Sequence, residues 1–303
     1  MRAAAVCAIA LLLALVVAPP VLEASVWLAA AHDAAHVVTF AIIAALLCSL
    51  ITPRRAGYLA LFAVAAVFAV GTELAQPYFA GAGLIEIASM GDVGRDLAGS
   101  VIGVLAWLGV RRHRPRLVLA AGALLLVCLL PLAFVGWAYA GRALHPDIVF
   151  DPGRVTWRVF IERTNAGTVA RDPERHVLRF TATSDSFAGI GLREPPPDWR
   201  GYDRLVVAVS NPGATPLSFN VRIDDLPRNT EYEDRFNRER TVPPGASLRW
   251  EIPLGEIVRG PQGRLLDLSH ITRVVLFLSP GSRGATFELA GVTLERVRAG
   301  EAP

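Results

Sequence analysis

The chain contains no lysine and very little cysteine, and each scarcity narrows what the protein can be. All 30 basic residues are arginine, which we interpret as a bias of genome composition and not as the sign of a particular ligand. The three cysteines, Cys7, Cys48 and Cys128, all lie in apolar segments. Residues 146–303 have none, so no disulfide holds that part together, and no cysteine metal site or redox pair is predicted.

Charge is scarce in the first half of the chain. Hydrophobic residues make up 53% of the 303 residues, and the mean hydropathy of +0.42 is high for a soluble protein. The excess lies in residues 1–145. Residues 146–303 carry 21 Arg and 21 Asp plus Glu, so the net charge of +3 arises in the apolar part. The composition predicts a membrane part followed by a water-soluble part.

Five segments are long and apolar enough, or nearly so, to cross a bilayer, which takes ~20 mainly apolar residues in a helix. They are residues 3–22, 34–52, 57–78, 93–110 and 117–140. The first segment could instead be a cleaved signal peptide, since it has a short positive start and an apolar core. We favour a retained helix, because "VLEAS" is a mediocre cleavage site and further spans follow that need packing partners.

Arginine clusters flank alternate ends of these spans. These arginines are Arg2, the pair Arg54–Arg55 and the cluster at 111–116, and the positive-inside rule places all three groups in the cytoplasm. The loops at 20–33 and 79–92 then lie outside, and the fifth span delivers residues 146–303 to the outer face. We therefore predict a multi-pass protein of the inner (cytoplasmic) membrane, embedded in the lipid bilayer, with an extracytoplasmic C-terminal domain. No nucleic-acid partner is predicted, because the arginines serve the topology.

Three of the spans carry polar side chains at the end predicted to face outside. Ionisable groups near hydrocarbon are costly and usually face a bundle interior or a water-filled cavity. On each span, two of these residues are three or four positions apart and therefore share a helix face. The pairs are Asp33 with His36, Glu73 with Gln76, and Asp92 with Asp96. The predicted outward-facing polar pocket consists of Asp33, His36, Glu73, Gln76, Asp92, Arg95 and Asp96. The alternatives are side chains that reach into the headgroups, or an Arg95–carboxylate pair that only holds the bundle together.

The order of these motifs resembles the VanZ-like membrane family over about residues 3–112. The matching features are D-x-x-H at Asp33–His36, E-x-x-Q at Glu73–Gln76, and a helix with Asp92 and Asp96 followed by Gly99 and Gly103. The chain departs from the family pattern at Asp96, where Asn is usual, and at Glu86, where Arg is frequent. The family is named for a protein linked to low-level glycopeptide antibiotic resistance. The resemblance implies a cell-envelope role and supplies no reaction.

Residues 141–152 are predicted to form a short linker, and short alternating or β-branched runs follow it. Examples are "VTWRVFI", "RLVVAVSN" and "ITRVVLFLS", with breaks such as "EPPPDWRG" between the runs. Eight or more short strands without a helical period predict a β-sandwich over residues 153–299. The stretch "DWRGYDRLVVAVSNPGATPLSFNVRIDD" resembles galactose-binding-like jelly-roll modules, the architecture of many carbohydrate-binding modules. The predicted fold class is multi-domain, an all-α five-span transmembrane bundle followed by an all-β jelly-roll sandwich.

One polar stretch of the outer domain, "IDDLPRNTEYEDRFNRER", is the candidate ligand site. A sugar site needs planar hydrogen-bonding groups for hydroxyls and an aromatic platform, and this stretch offers both. The candidate ligand-binding residues are Asp224, Asp225, Asn229, Tyr232, Asp234, Arg235, Phe236 and Asn237. The alternatives are a solvated loop held by Arg–carboxylate pairs and a structural Ca²⁺ site built on the carboxylates. No other cofactor is evident.

Two functions compete. The first is an envelope protein with a VanZ-like four-span domain (1–116), a fifth helix (117–140), and a sandwich that binds an extracytoplasmic glycan or an envelope protein. The second is a membrane enzyme acting on a lipid-linked or cell-wall glycan, with the acid–base groups Asp33, His36, Glu73 and Asp92. A transporter is disfavoured by the few spans and the lack of an evident inverted repeat. No P-loop, nucleophile elbow, HExxH or dinucleotide motif points to another activity.

Overall fold

A computed structural model describes residues 25–51, 90–163, 166–226 and 231–297, together with positions 9, 12, 64, 66–68, 70 and 71. The chain divides into two compact units, Met1–Gly136 and Trp137–Pro303. In the described part, the first unit is helical. The second is a β-sandwich that includes the last two turns of a helix.

Three long helices lie in the described part of the chain. They are α1 (Val26–Ile51), α2 (Met90–Arg111) and α3 (Pro115–Leu144). All three are long and apolar enough to cross a membrane. They correspond to the predicted spans 34–52, 93–110 and 117–140, although α1 begins earlier, inside the predicted outer loop. Spans 3–22 and 57–78 lie almost wholly outside the described residues, so a helical region with candidate spans is confirmed and the number five stays a prediction.

Glycines bring α1 and α2 together. A Cβ atom at Gly99 would lie 2.3 Å from the carbonyl oxygen of Val37, and one at Gly103 would lie 2.1 Å from that of Ala41. Both distances are shorter than a real contact, so only glycine allows the two backbones to approach this closely. The GxxxG step of the sequence therefore lies in the α1–α2 interface, as small residues do between membrane helices.

The sandwich unit begins with the end of α3. The Arg142 guanidinium lies 3.4 Å over the Phe160 ring and donates a hydrogen bond to the Glu194 carbonyl oxygen. The Tyr139 hydroxyl donates to the Glu194 carboxylate. Glu194 itself has φ of 49°, a left-handed conformation that non-glycine residues seldom adopt. Residues 141–144, predicted as linker, are therefore helical, because these contacts hold the last turn of α3 within the sandwich unit.

The described residues of the sandwich form eleven strands. They are β1 (Ile148–Phe150), β2 (Ile161–Arg163), β3 (Gly167–Asp172), β4 (Val177–Ala182), β5 (Ala188–Arg193), β6 (Arg204–Ser210), β7 (Leu217–Asp225), β8 (Phe236–Val242), β9 (Ser247–Pro253), β10 (Ile271–Leu278) and β11 (Thr286–Glu295). One sheet has the order β3-β4-β11-β6-β9, with β1 also paired to β11. The other has the order β2-β5-β10-β7-β8, and all pairings are antiparallel. The predicted β-sandwich is confirmed. A short helix, α4 (Leu254–Val258), follows β9.

One apolar core fills the space between the two sheets. Along β7 every second side chain from Leu217 is buried, and the inward-facing residues Val274, Leu276 and Leu278 of the neighbouring strand β10 belong to the same core. The ring of Phe287 lies 5.1 Å from those of Phe180 and Phe219. Trp199 is fully buried and donates its indole N–H to the Pro196 carbonyl oxygen at 2.8 Å. The inner faces are thus fully occupied, and ligands are left with the outer faces and the loops.

Two parts of the sandwich differ from the sequence prediction. In "VTWRVFI", residues Val155–Phe160 form a 3-10 helix, and only the end of the run continues into β2. The edge strand β8 lies inside the stretch predicted as a polar loop. Edge strands with one solvated face need few apolar residues, and β8 buries only its terminal residues Phe236 and Val242.

Candidate functional site

The first candidate site is a polar cluster between α1 and α2. His36 is 1% exposed, and its Nδ1 atom lies 2.8 Å from Oδ1 of Asp96, which is fully buried. The Nε2 atom of His36 lies 3.2 Å from the Nε2 atom of His32, one turn earlier on α1. Ser100 donates a hydrogen bond to the backbone carbonyl oxygen of Asp96 at 2.9 Å. A carboxylate and two imidazoles therefore form one continuous chain of polar contacts.

Arg95 joins the remaining carboxylates of the cluster. Its Nη2 atom donates to Oδ2 of Asp33 at 2.8 Å, and its Nη1 atom donates to Asp92. The helices thus bring together five of the seven residues of the predicted polar pocket. The other two, Glu73 and Gln76, lie outside the described residues. Because Arg95 bridges α1 and α2, the ion pair also contributes to the packing of these helices.

His32 is the member of this cluster that the sequence reasoning missed. The signal was present, since His32 and His36 are four residues apart in "HDAAH" and so share a helix face. One oxygen of Asp96, Oδ2, is buried and has no hydrogen-bond partner in the described part of the chain. A buried imidazole oriented by a carboxylate can accept a proton or bind a metal ion.

The second candidate site is the polar stretch after β7. Arg264 donates to both carboxylate oxygens of Asp225 at 2.7 Å, and also to Asp234. The backbone N–H of Asp267 donates to Asp225 as well, at 2.7 Å. Arg222 donates to Asp224 at 2.8 Å. Three of the predicted ligand carboxylates are therefore engaged by arginine side chains of the same domain.

The other predicted ligand residues of this stretch differ in their exposure to solvent and in their contacts. Phe236 is buried in the core, whereas Tyr232 is 70% exposed. The guanidinium of Arg235 lies 5.6 Å from the centre of the Tyr232 ring, and the Asn237 amide donates to the Tyr232 carbonyl oxygen at 3.4 Å. Asn229 lies outside the described residues. That this stretch holds a ligand stays a prediction, with Tyr232 as its most accessible aromatic ring.

Electrostatics keep the ion pairs of this stretch charged. Hydrogen bonds to Asp225 and Asp234 raise the pKa of Arg264 above its usual value. Hydrogen bonds from Ser269 and His270 hold the pKa of Asp267 well below its usual range. In the described part of the chain, no group of three or more His, Cys, Asp or Glu side chains is placed to hold a metal ion. A structural Ca²⁺ here therefore stays a prediction without a ligand set.

A third candidate site is the outer face of the five-stranded sheet. Phe277 on β10 packs against the backbone of Gly189 on β5, where a Cβ atom would lie 2.5 Å from that of Phe277. The Phe187 ring, 63% exposed, meets the Phe277 ring edge-on at 5.7 Å between centroids. The two rings form an aromatic pair at the surface of the sheet, and the sequence reasoning did not identify it.

Polar side chains continue from this pair across the sheet. The antiparallel register places Asn220 opposite Phe277, and Glu239 opposite Asn220. Glu239 accepts hydrogen bonds from Ser218 at 2.7 Å and Ser279 at 3.1 Å, and Asn220 donates to Ser279 at 2.9 Å. The outer face therefore combines an aromatic pair, in which Phe187 is exposed and Phe277 is partly buried, with a row of hydrogen-bonding groups. We call this surface the aromatic–polar face.

An open cleft of about 800 Å³ lies at one end of the sandwich. The loop before β7 and the loop before β11 form its walls, and Arg179, Thr181 and Arg283 are among its lining residues. Arg179 is held in place by Glu288, which accepts its hydrogen bond at 2.6 Å. The cleft is therefore a polar surface depression that adjoins the aromatic–polar face at Ser218.

Comparisons with known proteins yield structural neighbours for part of the chain. Neither protein-family models nor curated proteins match it, so the VanZ-like resemblance stays a prediction. An agarase matches at 14% identity with a TM-score of 0.40, over 50% of this chain and 26% of that chain. A family 11 carbohydrate-binding module from Clostridium thermocellum, in complex with a mixed-linked tetrasaccharide, matches at 15% identity, TM-score 0.33, over 45% of this chain and 83% of that chain.

A carbohydrate-binding module of family 29 matches at 12% identity with a TM-score of 0.34, over 49% of this chain and 90% of that chain. This chain spans about a quarter of the agarase's length. What each of these proteins binds or cleaves is a property of that protein.

Proposed function

We propose that this chain is an integral membrane protein of the cell envelope whose sandwich binds a glycan outside the membrane. The observation that carries the proposal is the aromatic–polar face, in which the Phe187–Phe277 pair adjoins Asn220 and Glu239. After β5 each successive strand lies in the opposite sheet, except that β7 and β8 form a hairpin in the same sheet, and this order supports the predicted jelly-roll connectivity. An envelope protein is the alternative partner for the same domain.

Sugar chemistry matches such a face. A sugar ring has a C–H face that packs on aromatic rings and an edge of hydroxyl groups that both donate and accept hydrogen bonds. Phenylalanine rings supply large, rigid apolar contact area. The amide of Asn220 offers donors and an acceptor, and the carboxylate of Glu239 offers acceptors. Exposure of Phe187 to water in the free protein costs free energy, and a bound ligand that covers the ring would recover it.

The membrane part supports the proposed location. Exposed apolar side chains along α3 suit contact with lipid, and they are Val118, Leu119, Leu126, Val127 and Leu130. Arginines 111, 112, 114 and 116 lie in and around the turn between α2 and α3, which the positive-inside rule assigns to the cytoplasm. The opposite end of α3 would then emerge on the extracytoplasmic side of the inner membrane, where envelope glycans occur.

Cysteine labelling tests this orientation. We expect Ser186→Cys, in an exposed position before β5, to react with a membrane-impermeant maleimide on intact spheroplasts. Arg112→Cys, exposed in the turn between α2 and α3, is the matched control and should react only after permeabilisation. The opposite pattern would place the sandwich in the cytosol and end the proposal.

A glycan array tests the ligand. The full-length chain, purified in detergent and fluorescently labelled, is applied to an array that includes bacterial cell-wall and capsular glycans. Specific binding to one glycan class supports the proposal. A folded protein that binds no glycan on the array would contradict it and would favour an envelope protein as the partner.

A second candidate function follows from the buried His36–Asp96 pair. This arrangement suits acid–base chemistry, because a carboxylate fixes the imidazole tautomer and leaves Nε2 as a proton acceptor. The substrate would be a lipid-linked or cell-wall glycan at the outer leaflet, in line with the VanZ-like resemblance. For an enzyme we expect His36→Ala to abolish any glycopeptide resistance that the wild-type chain confers on a host, at unchanged protein level in the membrane. Loss of the protein itself would indicate a structural role.

A further inference from the structure

The two imidazoles of the α1–α2 cluster converge in a geometry suited to a metal ion. The Nε2 atoms of His32 and His36 lie 3.2 Å apart, and the ring planes are inclined by 78°. Two nitrogen ligands at 2.0–2.1 Å from a tetrahedral zinc ion lie roughly 3.3 Å apart. Histidines at positions i and i+4 of a helix present their side chains on the same face, as metal-binding helices do.

Asp96 orients the imidazole of His36 for metal binding. Its Oδ1 atom lies 2.8 Å from Nδ1 of His36, and both side chains are almost fully buried. With the proton held on Nδ1, the lone pair of Nε2 is directed toward His32. A carboxylate on the far nitrogen is the usual second-sphere partner of a metal-bound histidine, and it strengthens the ligand. Asp96 also keeps one buried oxygen, Oδ2, without a partner in the described residues.

The charge of the cluster also favours a cation. Its described members include three carboxylates, Asp33, Asp92 and Asp96, against the single guanidinium of Arg95, which leaves a formal charge of −2. Negative charge placed between apolar helices is expensive. A divalent cation at the two imidazoles would balance it, and Arg95 already neutralises the side of the cluster nearest Asp33 and Asp92.

We propose that His32 and His36 bind a divalent transition-metal ion of the zinc class, with Asp96 as the positioning residue behind His36. The described part of the chain supplies two of the four ligands of a tetrahedral zinc site. Imidazole ligands suit Zn²⁺, Ni²⁺ and Cu²⁺, whereas Ca²⁺ and Mg²⁺ prefer oxygen ligands. The inference goes beyond glycan binding and does not depend on it, because it concerns the other unit of the chain.

Zinc binding by the full-length protein tests the proposal. The chain is purified in detergent, stripped with a chelator, and titrated with ZnCl₂, and bound zinc is counted by elemental analysis after gel filtration. We expect about one equivalent in the wild type and in His113→Ala, whose histidine lies exposed in the turn between α2 and α3. We expect His32→Asn to lose that equivalent, and Asp96→Asn to bind roughly 10–100-fold more weakly.

Melting temperatures provide the control for folding in the same experiment. His32 is only partly buried, so His32→Asn is expected to keep the melting temperature of the metal-free wild type. Added ZnCl₂ should raise the melting temperature of the wild type and of His113→Ala but not that of His32→Asn. A wild-type protein that retains no zinc would overturn the proposal and leave His32 and His36 as a hydrogen-bonded pair. Equal zinc retention by His32→Asn would overturn it as well.

Discussion

At the scale of single residues, buried carboxylates hold the outer domain in shape. Asp225 has no exposed surface on its side chain and accepts hydrogen bonds from Arg264 and from the Asp267 backbone. Glu288, on the outer side of the other sheet, is 2% exposed and pairs with Arg175 and Arg179. Removing one partner of a buried pair leaves the other without compensation, which usually costs more than the pair contributes.

Asp225→Asn tests whether this carboxylate of the predicted ligand loop has a structural role. We expect the unfolding free energy to fall by about 3 kcal/mol, because Arg264 loses its two-point charged partner and keeps Asp234 and the Leu265 carbonyl oxygen. That loss would lower the melting temperature of the full chain by roughly 6–12 °C, measured by tryptophan fluorescence in detergent. The control is Asp198→Asn, whose pair with Arg200 is exposed and screened by water and therefore contributes little to stability. Equal shifts for the two variants would contradict a structural role for Asp225.

Glu288 makes the domain sensitive to acid. Burial alone would raise the pKa of Glu288, but hydrogen bonds from Arg179 and Arg175 outweigh it and lower the pKa below the usual 4.5. The folded state therefore binds this proton less readily than the unfolded chain. The stabilisation is present above pH 4.5 and is lost as the pH falls through the lower pKa of the folded state.

The corresponding variant is Glu288→Gln, which cannot titrate. We expect it to lower the melting temperature at pH 7, since its charge-assisted hydrogen bonds are worth about 2 kcal/mol. Between about pH 6 and pH 3 its melting temperature should fall less steeply than that of the wild type. Parallel curves for the two proteins would show that Glu288 contributes nothing to the acid dependence.

At the scale of elements, the α1–α2 pair depends on two glycines. A methyl group at Gly103 would meet the Ala41 carbonyl oxygen, whereas a methyl group at Gly94 on the same helix would have no atom within 4 Å among the described residues. We expect Gly103→Ala to reduce stability by about 2 kcal/mol through overpacking. Gly94→Ala should be neutral or slightly stabilising, because alanine favours helix. Gel filtration of heated, detergent-solubilised samples measures both, and equal behaviour would exclude a close helix contact at Gly103.

Sequence and structure agree best where the pattern is local. The central strands β6, β7 and β10 were predicted from their alternating or β-branched runs, and each buries one face in the core. The edge strand β8 was missed, because its middle residues are polar. The polar pocket was predicted in part, since helix periodicity groups Asp33 with His36 and Asp92 with Asp96.

Contacts between distant positions could not be predicted. Arg264 follows Asp225 by 39 positions, so no local pattern marks it as the partner of the predicted ligand carboxylates. The Phe187–Phe277 pair joins two strands that are 90 positions apart and depends on the absence of a side chain at Gly189. The 3-10 helix over Val155–Phe160 has the composition of a strand, and tertiary contacts such as the stacking of Arg142 on Phe160 override that preference.

At the scale of the whole molecule, the proposed glycan-binding face belongs to a domain that follows helices long and apolar enough to cross a membrane. Two surfaces of the sandwich are candidates for the proposed glycan site, the aromatic–polar face and the polar stretch around Tyr232. Both carry exposed aromatic rings, Phe187 at 63% and Tyr232 at 70% exposure, so single alanine substitutions at these rings should leave the fold intact. They form a matched pair of variants that separates the two sites.

The most direct measurement is calorimetric titration of the full-length wild type, Phe187→Ala and Tyr232→Ala with the glycan that binds most strongly on the array. We expect Phe187→Ala to weaken binding at least about 10-fold, a loss of about 1.4 kcal/mol, because an aromatic contact is removed. Tyr232→Ala should stay within about twofold of the wild type, a difference of less than about 0.5 kcal/mol. Unchanged binding by Phe187→Ala together with loss of binding by Tyr232→Ala would contradict the account and place the ligand at the loop.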